Sequence, residues 1–407
     1  MKKIHLQEID GNSAGYVGLL ALLGAFVLGA LGSTYYMEHN GHWVTGMNNQ
    51  IVWGMPHVFA VFLIVAASGA LNVASISSVF NKKIYKPLAP LSALLSLALL
   101  AGGLMILVLD LGRPDRLLVA MTYYNFKSIF AWNMILYNGF FLFVGIYLWT
   151  MLDRTLKQYT RFAGFTAFIW RLILTTGTGS IFGFLVARSG YDMAMMAPMF
   201  VIMSFSFGLA IFILVLMASY NWTDRPLGDV VVNRLRKLLG VFIAAVLYFV
   251  IVYHLTNLYA TEHHGYEAFI LLGENGGDSY SKMFWIGQIL LGSLVPLALV
   301  YAPALQNSRK TLAVASILVI LGGLATMYTI IIGGQAYPME MFPGMEVLET
   351  TFYDGQATVY NPTLAETLLG LGGMAVAMII VAVGIKVLGF LPQRLDDASI
   401  DPHHKAD

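Results

Sequence analysis

The chain has 407 residues, 58% of them hydrophobic and 11% charged, with a mean hydropathy of +0.73. A soluble domain is about half apolar and about a quarter charged, so 23 basic and 22 acidic side chains cannot clothe a water-soluble protein of this size, and the lipid bilayer is its solvent. A net charge of +1 offers nucleic acid nothing to bind, and the lack of cysteine excludes iron–sulfur clusters, cytochrome c attachment, disulfides and thiol catalysis within this polypeptide.

In chain order, apolar stretches of about 20 residues, enough to cross about 30 Å of hydrocarbon, fall at 15–37, 51–80, 87–109, 129–152, 162–187, 193–220, 239–260, 283–304, 311–336 and 364–390. Each must be a helix, because no water is near to satisfy its backbone. The sequence therefore predicts an all-α membrane protein of about ten transmembrane helices. The first stretch follows Lys2 and Lys3 but is too long for a signal core. Tyr35, Tyr36 and Met37 stand where a cleavage site would be, so it is read as retained.

Lys and Arg sort the loops between these spans. One side, which includes both termini, holds 17 of the 23 basic residues; the other holds Arg113, Arg116, Lys127, Arg188 and Lys282, and Arg171 lies inside a span. Both termini are expected in the cytoplasm, with the chain in a bacterial inner membrane. The opposite face carries most of the acids, among them Glu340, Glu346, Glu349 and Asp354, and the longest loops, including 335–363. Long loops on one face point to a docking surface for an extracytoplasmic partner.

The fourth and eighth spans open alike: Ser128, Trp132 and Gly139 recur at the spacing of Ser281, Trp285 and Gly292. The second and sixth each carry a proline near the outer end, Pro56 and Pro198. This predicts two parallel four-helix bundles, about 51–187 and 193–336, with a peripheral helix at each end (15–37 and 364–390) in a single membrane domain over 15–390. Residues 1–14 and 391–407 form the cytoplasmic ends. Where the first copy has Asn133 and Tyr137, the second has Ile286 and Leu290, which places the chemistry in the first bundle.

Polar residues in the spans narrow the site. Asn48, Asn49, Gln50 and Trp53 lead to His57, about two turns inside the second span, where an ionisable side chain is a functional candidate by default. Trp53 stands four residues earlier, on the same helical face. The third span ends in Leu109-Asp110-Leu111-Gly112-Arg113-Pro114, which holds Asp110 at the membrane edge beside Arg113 and Arg116, on the same side as His57. Tyr123, Tyr124, Asn125, Lys127 and Ser128 lead into a fourth span whose Asn133 and Tyr137 can face one cavity. Arg171 in the fifth span and His254 in the outer part of the seventh line a proton route or pair internally. His263, His264, His403 and His404 are expected in solvent. No metal-ligand spacing is present.

Such a pocket, with apolar walls, hydrogen-bonding groups and a histidine that titrates near neutrality, suits a quinone head. It offers partners for two carbonyl oxygens and a group that takes or gives a proton.

The turn from Asp110 to Pro114 resembles the Asp-Leu-Gly-Arg-Pro turn of the NrfD, or polysulfide-reductase-type, integral membrane subunits, and the Lys127-Ser128 to Trp132 entry resembles the helix after it. Within that family the segment Gly41 to Gln50, continuing to Trp53 and His57, is most similar to the DsrP-type branch that serves sulfite-reduction-associated DsrMKJOP complexes. The resemblance covers residues 15 to 390. It implies a subunit, not catalytic alone, of a quinone-linked oxidoreductase complex in respiration or sulfur metabolism. Its quinone, menaquinone or ubiquinone, would bind near the extracytoplasmic face, with no haem or iron–sulfur cluster in this chain. The implied partners are an extracytoplasmic ferredoxin-like iron–sulfur subunit of DsrO type and further DsrMKJ-type membrane and cytochrome subunits. Carried over by position, His57 and Asp110 are the catalytic candidates, with Asn48, Asn49, Trp53, Arg113, Tyr124, Asn133 and Tyr137 around the quinone; Tyr123, Tyr124 and Tyr137 compete for the quinone-contacting tyrosine. Two other readings compete with this one: a secondary transporter or proton-translocating module, which predicts helices broken at mid-membrane, and a b-type cytochrome whose haem is clamped by His57 and His254.

Overall fold

The computed structural model describes residues 5–305, 308–339 and 356–400. The acids Glu340, Glu346, Glu349 and Asp354, and Lys2, Lys3, His403, His404 and Lys405, lie outside the described residues.

Among the described residues nine helices are long and apolar enough to cross a membrane. They are α1 (Ala14–Asn40), α2 (Met55–Ser78), α3 (Lys83–Leu109), α4 (Ile129–Leu152), α6 (Met196–Trp222), α7 (Asp229–Tyr259), α8 (Asp278–Tyr301), α9 (Arg309–Ala336) and α10 (Leu364–Val387). The expected fifth span is α5 (Thr160–Gly183), a helix of 24 residues. Arg171 and the Thr- and Gly-rich run from Thr175 to Ser180 dilute its hydropathy, which is why it stands apart from the other nine. The chain is an all-α, multi-pass membrane protein.

Two of the boundaries that differ from the sequence reading have a local cause. Helix α7 starts ten residues before the apolar stretch, because Asp229 to Leu238 stays helical beyond the hydrocarbon; Arg236 there donates to the carbonyls of Leu305 and Ser308 at 2.9 and 2.8 Å. Helix α2 starts only at Met55, with Pro56 in its first turn. A proline fits there because the first helical N–H groups have no partner inside the helix.

In lipid, apolar burial gives helices little drive to associate, so close packing and buried hydrogen bonds must hold the bundle. Helix α2 is the most buried span. It packs on α3, α6 and α10, and its bundle closes through α3 with α4, α4 with α5 and α5 with α2. A second ring follows, in which α6 meets α7 and α9 while α8 joins both of those. The rings meet where α2 crosses α6 at Gly69 and Gly208. A Cβ on Gly69 would lie 1.5 Å from the Ser204 carbonyl oxygen, and one on Gly208 would lie 2.1 Å from the Ala70 nitrogen. Only glycine lets the two backbones approach this closely.

The flanking helices α1 and α10 lie side by side, and α10 rests on α3 and α2. Strand β1 (Leu6–Gln7) pairs antiparallel with β2 (Leu391–Pro392), with Leu6 opposite Pro392. The Gln393 N–H donates to His5 at 2.9 Å, and Arg225 donates to the Glu8 carbonyl at 2.7 Å. The two ends of the chain therefore meet on one face with the α6–α7 connection, as an even number of crossings requires. The opposite face, formed by residues 41–54, 110–128, 184–195, 260–277 and 337–363 where described, is called the loop face below.

Candidate functional site

Pro56 sets the start of α2, so His57 falls in its first turn, its N–H donating to Gly54 at 3.1 Å, and not two turns deep as the apolar stretch implied. Ile51 to Gly54 is irregular backbone. Trp53 therefore precedes the helix and shares no helical face with His57, yet the two rings lie 6.3 Å apart.

Helix α3 ends at Asp110, whose N–H still donates to Ile106 at 2.9 Å. Pro114 biases the residue before it away from helix, and the chain turns through Gly112. The turn directs the Asp110 carboxylate inward, where its side chain is 1% exposed and one oxygen lies 3.1 Å from His57 Nδ1, with His57 itself 23% exposed. The approach is close but not aligned as a hydrogen bond, and among the described residues neither Asp110 oxygen accepts one. A buried acceptor left in that state costs about 1–3 kcal/mol.

Trp53 forms the wall beside this pair. Its ring meets Phe130 and Phe182, each at 5.9 Å, and Tyr191 at 6.5 Å. Its backbone is gripped from the second bundle: Gln335 Oε1 accepts the N–H groups of Val52 and Trp53, each at 3.0 Å. The same side chain's Nε2 donates to the Trp53 carbonyl at 3.0 Å and to Ile331 at 2.8 Å. Arg188 ties this clamp to the loop through the carbonyls of Gln335 (2.8 Å) and Gln50 (2.9 Å), and Gln50 donates to Ala336 at 3.1 Å. Burial lowers the Arg188 pKa from its ordinary value, and Tyr191 acts in the opposite sense.

A second brace comes from α10. Glu366 Oε2 accepts the N–H of Gly46 at 2.9 Å and that of Thr363 at 2.8 Å. Its other oxygen takes the Tyr360 hydroxyl at 2.6 Å, and that hydroxyl accepts the Met55 N–H at 2.7 Å. Burial, followed by the Glu366 charge, raises the Tyr360 phenol above its ordinary pKa.

The remaining expected residues divide into those that build the scaffold and those that lie apart. Asn48 turns its carboxamide oxygen back onto the N–H groups of Gln50 (2.9 Å) and Ile51 (2.8 Å), a turn-forming role, and both Asn48 and Asn49 are exposed. Arg113 points away from Asp110 and forks onto exposed Asp115, both bonds at 3.2 Å. The hydrogen bond from Arg113 holds the Asp115 carboxyl below its ordinary pKa. Tyr124 stacks on Phe126 at 5.9 Å. Asn133 is buried between α4 and α5, donating to Ile129 (2.9 Å) and Gly177 (3.1 Å). Tyr137 meets Thr178 on the same α5 face.

Arg171 donates to the Ser68 carbonyl at 3.2 Å and sits against Phe168 and Phe205 at 4.9 and 5.2 Å. It helps to close the break in α2 after Ala70, where Ser92 also donates to Ala70 at 2.6 Å and accepts from Ala74 at 3.1 Å. A transporter's broken helix lines a cavity, whereas this one is filled by side chains. His254 bonds Glu267 through Nδ1 at 2.7 Å. The two histidines expected to clamp one haem are thus each committed to a carboxylate in a different bundle. His263 is not in solvent: it is buried, with Nδ1 2.9 Å from the Ser189 carbonyl.

Gln335, Arg188, Tyr360, Glu366, Glu267 and Asn257 were missed as site or brace residues. One signal was readable, the Thr363-x-x-Glu366 capping box opening α10. Gln335→Leu removes three hydrogen bonds to the loop, each of about 1 kcal/mol. Amide exchange at Val52 and Trp53 is expected to accelerate at least tenfold by hydrogen-exchange mass spectrometry, and unchanged protection would show that the clamp does not order this loop.

Comparison with known proteins bears on this geometry. The sequence profile of the family described as polysulphide reductase, NrfD, matches residues 43–339. The Hdr-like menaquinol oxidoreductase integral membrane subunit of Archaeoglobus fulgidus is 28% identical over 391 residues, 96% of this chain and 98% of that protein. A Halobacterium salinarum protein, provisionally named as a membrane subunit of dimethyl sulfoxide reductase, is 28% identical over 412 residues, covering 92% of this chain and 91% of its own. A selenate reductase subunit of Mesobacillus selenatarsenatis is 23% identical over 398 residues, 88% of this chain and 90% of that one.

Proposed function

The chain belongs to the NrfD family of polysulphide-reductase membrane proteins, and from that premise we propose that it is the quinone-binding membrane subunit of a multi-subunit oxidoreductase complex, with His57 and Asp110 at its reacting centre. The observation that carries this reading is the His57 imidazole 3.1 Å from a buried Asp110 carboxylate. Asp110 orients the Nδ1 edge of the ring and leaves Nε2, on the opposite edge, for a quinol hydroxyl or quinone carbonyl. A bound quinone supplies a two-electron, two-proton couple. His57 takes or returns the proton at Nε2, Asp110 offsets the charge that the ring gains, and the Trp53 indole presents a flat apolar wall. Phe130, against the Trp53 ring, is 44% exposed, which leaves this edge of the site open to a head group arriving sideways from the lipid.

Menaquinone is the favoured quinone, since the Archaeoglobus relative is named for menaquinol. Electrons pass to or from an iron–sulfur subunit docked on the loop face, a reading supported by the lack of cysteine, and so of any cluster of its own, in this chain. A DsrP-type place beside DsrO- and DsrMKJ-type partners rests on the Gly41 to Gln50 segment. The basic bias puts the face that carries the termini in the cytoplasm. A density map of the complex should show a quinone head against His57 Nε2 and Trp53, and a head group bound elsewhere would refute the assignment. A reporter fused after Asp407 should read as cytoplasmic, and an external signal would invert the orientation.

A further inference from the structure

The second bundle contains a buried acid–base pair that the quinone reading does not use. Glu267 is fully buried: Oε2 lies 2.7 Å from His254 Nδ1, which is 13% exposed, and Oε1 accepts the Asn257 amide at 2.7 Å. A lone charge is expensive in such surroundings, and both carboxylate oxygens have a partner, His254 on one and Asn257 on the other. His254 borders a small cavity, lined also by Met199, Met203, Tyr253, Tyr266, Gln288 and Thr329, with room for water; Glu267 lies behind the imidazole. Further into the bundle lies a second cavity, lined by Ser206, Ser293, Thr326 and the same Gln288. Along α9 the two are separated by about one to two helical turns, roughly 10 Å. The other titratable groups facing the first cavity are phenols, Tyr253 from α7 and Tyr266 from the loop face; α6 brings methionines, α8 brings Phe284 and Gln288, and α9 brings Thr329 and Ile330.

Local backbone geometry singles out the same region. The described residues contain three π-helical segments, Ala268–Leu272, Met283–Leu294 and Thr329–Gly333. The first follows Glu267 directly, the second carries Gln288 and Ser293, and the third starts at Thr329. Wide helical turns of this kind are uncommon and concentrate at functional sites, where they turn side chains out of register.

We propose that His254 and Glu267 form a second functional site, a buried proton-binding pair supplied with water through the small cavities that share Gln288, and separate from the His57–Asp110 pair. The transferred species is a proton alone, passed along water and hydroxyl groups, and no electron is required. The inference does not rest on quinone binding.

The test uses infrared difference spectroscopy of the full chain in lipid nanodiscs, stepped in pH and exchanged into heavy water. A protonated carboxyl band should appear as the pH falls, shift on deuteration, vanish in Glu267→Gln and persist in Asp110→Asn. His254→Gln should keep the band and move its midpoint. Gln288→Leu, which keeps the pair but blocks the shared wall of the cavities, should slow deuteration of the band at least tenfold, and this arm decides the matter if Glu267→Gln does not fold. A Glu267 band that is absent at every pH or closed to deuterium would overturn the site. A band that exchanges at an unchanged rate in Gln288→Leu would overturn the supply route.

Discussion

His57→Ala is expected to lower quinol-linked electron transfer by about 10²- to 10⁴-fold, the contribution of a positioned acid–base group, in a complex that still assembles. Assembly should survive because His57 lies in the first turn of α2, is 23% exposed, and touches the fold mainly through Asp110 and Trp53. Asp110→Asn keeps the shape but removes the charge that opposes His57, so a lower rate is expected. Asp110→Leu removes the carboxylate altogether and should lower the rate at least as far. Assembled His57→Ala and Asp110→Asn complexes that turn over at the parental rate would place the reacting centre elsewhere.

The larger structural effect is expected at the crossing of α2 and α6. Gly208→Val sets a branched side chain against the backbone of Gly69 and Ala70, where even a Cβ has 2.1 Å of space. Backbone cannot move aside as a flexible side chain can, so the cost should exceed the roughly 1–3 kcal/mol of ordinary overpacking. The expected result is a chain that inserts but does not form the native bundle, read as the loss of a monodisperse peak and of a cooperative thermal transition. Gly18→Val, at a position on α1 where a Cβ meets nothing within 4 Å, should leave both intact. A well-folded Gly208→Val chain would show that the two bundles can part at this seam.

The spans were legible because the bilayer imposes them: length and apolarity locate ten helices, and Ile129–Leu152 coincides with its apolar stretch to the residue. The starts of α2 and α7 were not legible. Hydropathy records residence in hydrocarbon, whereas Pro56 in α2, and in α7 the Asp397 carboxylate that accepts the N–H groups of Asp229 and Val230 at 3.2 and 3.0 Å, mark where helical hydrogen bonding begins. The echo between the fourth and eighth spans has a structural counterpart. Trp132 and Trp285 both donate their indole N–H to a carbonyl of the preceding loop, Phe126 and Leu271 respectively, each at 2.9 Å. The meeting of His57 with Asp110 followed from two residues expected on the same side of the membrane. The clamp by Gln335 did not, because it joins positions 282 residues apart and a lone glutamine at the end of an apolar stretch carries no periodic signal. Asn48 and Arg113 show the opposite failure: their residue types suit a ligand site, but a turn and a neighbouring acid had already claimed them.

The pairing of α1 with α10 sets an order of events during synthesis. The helix made first has as its main partner the helix made last, and the β1–β2 pairing that fastens their ends needs residues 391 and 392. At about 5–20 residues per second, α1 waits tens of seconds in the membrane before α10 emerges, with the other eight helices assembling meanwhile. A ribosome stalled before Leu364 would therefore leave a nascent bundle whose first helix drifts free in the lipid, and crosslinks between α1 and the rest of the chain should arise only after release.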